Sequence, residues 1–417
     1  MTVDLEQQPS SPAPTLHGEP VVMEDTQRHG INSTIWHGRR GLVVKILTGI
    51  MVAILVVFLA DLSYVFGSTF EVGNRVSGLK ILVVDYDGGQ DFPTETKDVK
   101  HGVCNADYWG AIYIKKGSSD KLAAAYEGGS AAENYNPADS ITYIYNSARY
   151  PTVASGYLVP NLQKVIGAAR GSYYQSQQGR SALRSVNSSD PAAVEAYLNP
   201  IQGTADVIQP TNQGSRNLYN TINIVMAILG QFFYVLAMNG IYDKFGLHKN
   251  MRIRDLFIMR FINGMIFSAL YALVVTGYIW AFREDWDVSG GQFALSWLTF
   301  WLFMDVNFQV LETLIGSYIP MALTPFFLLT WFMMNVGSVV FPFELTAGFY
   351  RIGYIFPAHS LWIILIQVWS GCGNSLHIGL PILFAWWVVG HVTAFFGIRK
   401  RCLDQLENLN TAEGKQQ

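Results

Sequence analysis

Asp305, Gln309 and Glu312 stand at positions i, i+4 and i+7 of the apolar stretch 293–316. On a helix that spacing puts all three on one face, and Gly316 continues the stripe. A carboxylate at the centre of a membrane helix costs about 2.5–3.5 kcal/mol on insertion scales. Such a group faces a polar cavity, a bound substrate or a partner helix, or it keeps its proton. Two chemistries follow. Asp305, Gln309 and Glu312 line a substrate pathway, or Asp305 makes a structural hydrogen bond to Asn239, Asn263 or Asn335. Asp305 and Glu312 lie two turns apart, about 10 Å by helix rise, so they do not share one proton. Glu312 is nearer the expected cytosolic end, where snorkelling is a further option. His391, after Trp386 and Trp387 in the last apolar stretch, is the fourth pathway residue; its alternative is a hydrogen-bonded packing role.

Asp85-Tyr86-Asp87-Gly88 follows an Ile/Leu/Val run. Two carboxylates there could hold Mg²⁺ and attack phosphorus, as in metal-dependent phosphatases, or they could cap a strand-to-turn junction. Four residues are a weak motif, so no catalytic residue, metal or cofactor is assigned and the chain is not expected to be an enzyme. No Gly-x-x-x-x-Gly-Lys-Ser/Thr loop is present, so no nucleotide motor is recognisable. Asn187-Ser188-Ser189 is a glycosylation sequon in a segment placed outside. Asn32-Ser33-Thr34 is another, on a tail placed in the cytosol and expected to carry no glycan. Cys104 and Cys372 share the outer side. Oxidising surroundings would pair them; otherwise they are two buried thiols. Cys402, beside Arg399-Lys400-Arg401, is either palmitoylated or unmodified.

These groups are positioned by apolar elements. Half of the 417 residues are hydrophobic and 14% are charged, against about 25% charged in soluble domains. The net charge of −3 gives no bulk attraction to nucleic acid. Spans are expected near 46–66, 218–241, 257–282, 293–316, 319–342 and 378–398. The fold class is therefore an α-helical integral membrane protein with six transmembrane helices and an α/β extracytoplasmic domain inserted between helices 1 and 2. The domains are a disordered cytosolic tail (1–41), transmembrane helix 1 (42–67), the α/β domain (68–217), a five-helix membrane domain (218–399) and a cytosolic tail (400–417). Because the tail precedes it, the first span reads as a signal anchor. Strands are expected at 79–84, covered on both faces, at 109–114 and at 141–145; helices are expected at 119–126, 161–178 and 192–197.

Arg39-Arg40, the loop Lys244–Arg254 and Arg399-Lys400-Arg401 fall on one side with six spans, and the positive-inside rule makes that side the cytosol. Both termini are then cytosolic, and the acidic loop 283–287 is outside with the large domain. A seventh crossing at 355–369 would invert the last basic cluster, so 343–372, broken by Pro357, reads as an outer re-entrant segment. Trp280, Trp286, Trp362 and Trp369 suit an outer aromatic belt or ordinary helix packing. Arg351 reads as an interfacial anchor, or as a group presented to an anion.

Leu-Val-Val-Asp-Tyr-Asp-Gly at 82–88, Tyr-Trp-Gly-Ala-Ile-Tyr-Ile at 108–114, Tyr-Asn-Ser-Ala-Arg at 145–149 and Phe-Pro-Ala-His at 356–359 resemble the fungal nitrosoguanidine-resistance proteins. The resemblance covers about residues 42–400, and the layout is similar to type-2 ABC exporter permeases. It implies a plasma-membrane permease that exports small toxic or amphipathic compounds and confers resistance. The alternative it implies is a regulator of plasma-membrane phospholipid asymmetry, or a scaffold for other transporters. The partners implied are membrane lipids, small hydrophobic or amphipathic molecules and, by analogy with ABC permeases, a second copy in a homodimer. The loop Lys244–Arg254 would dock a separate ATPase, or its charges simply hold topology.

Overall fold

The computed structural model describes residues 39–88 and 96–414. The expected tail up to residue 38, with its sequon Asn32, lies outside them. The chain divides into two bodies, 1–56 and 57–417, at a boundary inside helix α1 (Arg39–Thr69). The described part of the first body is an apolar helix whose side chains are mostly exposed. All other features belong to the second body.

The α/β unit runs β1 (Ile81–Asp85), α2 (Thr96–Cys104), β2 (Gly110–Ile114), α3 (Ser118–Glu127), α4 (Ser130–Glu133) and β3 (Ile141–Asn146). It continues as α5 (Pro151–Val153), α6 (Val159–Gln175), α7 (Gln177–Ser185), α8 (Pro191–Leu198) and β4 (Gly203–Ile208). The four strands lie in chain order, with parallel, antiparallel and parallel pairings in turn. β3 and β4 register from Ile141 against Gly203 to Asn146 against Ile208. β1 was expected to be covered on both faces. It is an edge strand instead, with Val84 buried and Val83 63% exposed, because only β2 pairs with it. β4 and α2 were not anticipated: Gly203-Thr-Ala-Asp-Val-Ile has too few apolar residues to signal a strand without its neighbour.

Asp87 leaves β1 and caps a helix from a distance. Its carboxylate accepts from Gly117 N at 2.6 Å and Ser119 N at 2.7 Å, at the N-terminus of α3. Asp85 Oδ1 accepts from the amides of Asp87 and Gly88 and closes the turn. Both aspartates of the four-residue motif are thus engaged with backbone amides.

The membrane part comprises α9 (Ile222–Lys244), α10 (Leu247–Asn250), α11 (Ile253–Ala281), α12 (Gly290–Leu314), α13 (Thr324–Gly337), α14 (Pro357–Ser370) and α15 (Leu376–Gly414). Among the described residues, five helices, α1, α9, α11, α12 and α15, are long and apolar enough to cross a membrane. A sixth crossing exists only if the 3₁₀ turn Gly348–Ile355 and α14, bent by 81°, are one span. The expected span 319–342 is not shown as a full crossing: α13 has 14 residues, about 21 Å of helix against a hydrocarbon core of about 30 Å. Pro320, Pro325 and Pro342 bracket the segment and shorten it. The last helix runs beyond its expected end at 398 and carries Cys402 with it, buried as a free thiol.

Residues Phe303 to Thr313 of α12 are buried all round, so α12 is the internal helix of the bundle. α11 instead exposes Ile258, Ile262, Ile266 and Leu270 at helical spacing, a stripe that suits lipid. Of the two readings of the tryptophans, helix packing holds for three. Trp286, Trp362 and Trp369 are nearly inaccessible and pack on one another, with ring centroids 5.4 Å apart for Trp286–Trp369 and 5.7 Å for Trp362–Trp369. The loop before α12 meets the strand-exit segment through Asp285, which accepts from Thr211 Oγ1 at 2.8 Å and Asn212 N at 2.9 Å. A disulfide joins Cys104 at the end of α2 to Cys372 between α14 and α15, a sequence separation of 268.

Two outcomes are expected. Cys104→Ser with Cys372→Ser lowers the unfolding midpoint by the equivalent of roughly 2–5 kcal/mol through lost loop closure, read by thermal unfolding in detergent. Asp87→Ala costs about 1 kcal/mol through the lost cap. Burial pushes the Asp87 carboxyl up, but the hydrogen bonds from Ser119, Gly117 and Ser118 outweigh it and hold it below the usual carboxylate range. The folded value is the lower one, so this contribution is present above the unfolded carboxyl value of about 3.9 and is lost as pH falls through the folded value. The gap between wild type and Asp87→Ala therefore closes in acid.

Candidate functional site

The polar face of α12 meets α15 along its length. Asp305 is 1% exposed, and its Oδ2 accepts from Trp387 Nε1 at 2.7 Å. His391, one turn on, places Nε2 3.5 Å from the same oxygen. Its Nδ1 lies 2.7 Å from the Trp387 carbonyl, which only accepts, so Nδ1 carries a proton. A bare Nε2 would then turn its lone pair toward the carboxylate. One proton held between Nε2 and Oδ2 removes that conflict, as imidazolium–carboxylate or as carboxylic acid–imidazole. Asp305 Oδ1 and Gln309 Nε2 are buried with no hydrogen-bond partner. Gly390 makes this closeness possible: a Cβ there would sit 2.8 Å from Gln309 Cβ. Thr313 and Thr393 hydroxyls, 3.1 Å apart, carry the seam onward.

None of the three expected asparagines bonds Asp305. Asn335 Oδ1 accepts from the Ala358 amide at 3.2 Å, Asn263 reaches the Tyr242 hydroxyl at 3.4 Å, and Asn239 Oδ1 accepts from Arg260. Glu312 itself neither snorkels nor lies beside Asp305. Arg260 of α11 donates to it through Nε at 2.8 Å and Nη2 at 2.5 Å, and Arg401 of α15 donates to the same carboxylate. Asn239 Oδ1 accepts from both arginines, at 2.6 and 2.8 Å. One carboxylate and two guanidiniums are buried together, so α9, α11, α12 and α15 meet at one cluster of net charge +1. Arg260 also lies over the Tyr242 ring at 4.7 Å, which offsets part of that excess.

One cavity lies between α14 and the α/β unit, and another at the far end of the α12–α15 seam. The one on the side of the α/β unit has a volume of about 210 Å³ and touches α14, the start of α15 and the Cys104–Cys372 bridge. The other, about 110 Å³, is lined by Asn239, His248, Gly316 and Arg401. His248 of α10 is buried there, 2.9 Å from Asp243 Oδ1. Elsewhere, Asn187 is exposed in its turn, with Oδ1 accepting from Ser189 N at 3.1 Å. Arg351 is exposed in the 3₁₀ segment. Asp61 of α1 accepts from Thr330 Oγ1 at 3.1 Å and ties α1 to α13. Among the described residues, no group of three or more His, Cys, Asp and Glu side chains could hold a metal ion.

Residues 89–392 match the model of a family described as "Protein of unknown function (DUF3533)". The chain belongs to that family. It is also similar to an uncharacterized endoplasmic reticulum membrane protein of Saccharomyces cerevisiae, 22% identical over 273 residues, which are 61% of this chain and 51% of the relative. The chain thus spans about half the length of that relative. No solved structure gives a significant match. Within this DUF3533 chain, the matched segment contains Asp305, Gln309, Glu312 and His391 and ends before Arg401.

Sequence reasoning missed three residues of the site. Arg260 was legible as a lone cation inside the expected span 257–282; Arg401 was taken for a topology charge. Asn307, whose Oδ1 accepts from Trp331 Nε1 at 2.8 Å, lies off the i, i+4, i+7 face, and only the enclosure of α12 reveals it. Glu312→Gln would leave two buried guanidiniums without a countercharge. The expected loss is about 3–5 kcal/mol, seen as a lowered melting temperature or poor recovery of monodisperse protein. A variant as stable as wild type contradicts the cluster.

Proposed function

We propose that this helical membrane protein is a permease for small amphipathic compounds, exporting them along the α12–α15 seam without bond-making chemistry. One observation carries the reading: the internal helix presents Asp305, Gln309 and Thr313 to α15, with a cavity at the Gly316–Arg401 end of the seam. Intramembrane ionisable residues are functional candidates by default, and the Asp305 and Gln309 side chains, which interact with each other without a full hydrogen bond from Oδ1 or Nε2, could exchange that contact for cargo or water. The proton held by Asp305 and His391 offers a coupling ion. The exposed side chains of Lys244, Lys249, Arg252 and Arg254 offer a surface to a separate ATPase.

The proposed orientation puts both termini in the cytosol and the α/β unit outside or in a lumen, where the disulfide and a glycan on Asn187 are chemically favoured. The plasma membrane is the proposed location, although the yeast relative's name places that protein in the endoplasmic reticulum. The resemblance to nitrosoguanidine-resistance proteins supplies the cargo to test. Fungal cells expressing wild type should accumulate less of a labelled nitrosoguanidine-type compound than cells without the protein. Asp305→Asn at equal surface level should restore full accumulation. Equal accumulation in all three strains overturns export of that compound and favours a role in lipid asymmetry or as a scaffold.

A further inference from the structure

The cavity of about 210 Å³ lies between the α/β unit and the re-entrant segment. Its one arginine is Arg149, just beyond β3. The guanidinium carbon lies 3.8 Å over the Trp109 ring. Nη1 donates to the Tyr108 carbonyl at 3.3 Å. Among the described residues, no carboxylate lies within ion-pair distance of it: the nearby Glu344 is exposed and forms no salt bridge. Of five N–H donors, a single hydrogen bond is accounted for. Glu344, on the wall of the same cavity, is its one nearby countercharge and stands beyond ion-pair distance, so the fork stays open to a carboxylate binding side-on through two parallel hydrogen bonds.

The other walls set what else the occupant must be. Ile363, Ile366, Ile378 and Phe343 form an apolar side. His359 Nδ1 lies 3.3 Å from the Ser338 carbonyl, so its other nitrogen is an acceptor in the neutral ring and adds no second positive charge. Glu344 disfavours a dianion. The volume is below the roughly 300–1,000 Å³ of drug-sized sites, which excludes a two-tailed lipid. We propose that this cavity binds a small monocarboxylate with an apolar body, its carboxylate on Arg149 and its apolar part against Ile363, Ile366 and Phe343. The site stands apart from the Asp305–His391 pair and does not depend on the permease reading.

The test uses the full-length chain in nanodiscs with the disulfide intact. Radiolabelled benzoate is the probe in equilibrium dialysis, with benzyl alcohol and inorganic phosphate as competitors. Saturable benzoate binding is expected, displaced by neither competitor. Arg149→Gln should weaken it by about tenfold or more. Ile363→Trp, which fills the apolar side and leaves the charge, should abolish it. Arg184→Gln, at an exposed position of α7, should leave it unchanged. No saturable binding, equal displacement by benzyl alcohol or phosphate, or wild-type binding by a folded Ile363→Trp protein each overturns the proposal. If Arg149→Gln does not fold, the Ile363→Trp result decides.

Discussion

The cluster of Glu312 with Arg260 and Arg401 is the interaction on which the bundle depends. In hydrocarbon an ionised group must find its partner inside the protein, and α12 carries its Glu312 carboxylate enclosed by protein, 1% exposed. The partners come from α11 and α15, with Asn239 of α9 bridging the two arginines. Four helices must therefore dock in one register before any of these charges is matched. Buried ion clusters add little net stability over apolar packing, and breaking one is costly. The cluster thus fixes which helices are neighbours. It also accounts for the length of α15, which has to run past its apolar stretch to deliver Arg401.

With that register fixed, the second pair follows. α15 is held against α12, Gly390 lets the two backbones close over Gln309, and Trp387 and His391 arrive at Asp305. The two carboxylates of α12 have opposite environments. Glu312 is saturated by two guanidiniums, while Asp305 meets only neutral donors, Trp387 and Gln309, and has the His391 imidazole 3.5 Å away. A saturated group is structural; an unsaturated one beside a titratable partner can change state. The α/β unit is joined to the same frame by the Cys104–Cys372 disulfide and by Asp285, so movement of α14 or of the α14–α15 loop is felt across the cavity beside Arg149.

Much of the fold was legible because hydropathy reports lipid directly. The spans at α9, α11 and α12 and the strands β2 and β3 lie within a few residues of their expected places. The misreadings share one cause: hydropathy counts apolar residues without knowing what covers them. The segment 319–342 is apolar over its whole length, yet its helix covers only Thr324–Gly337. The tryptophans expected at an interface are packed inside. Asp305 and His391 were recognisable as expensive residues, but their pairing depends on the rotation of two helices, which one sequence does not encode in any local pattern. Arg260 was readable by the same cost argument, as a cation within an apolar stretch.

Accessibility along α12 tests the central claim, that its Asp305 face lines a path rather than a sealed contact. Single cysteines at 305, 309, 303 and 308 would be placed in a Cys402→Ser chain with the native disulfide left oxidised. Each would then be exposed to a membrane-impermeant maleimide in sealed vesicles. A path predicts labelling at 305 and 309, slowed by an amphipathic cargo, with 303 and 308 unreactive. Four equally unreactive positions in folded protein would contradict it and leave the seam as packing alone.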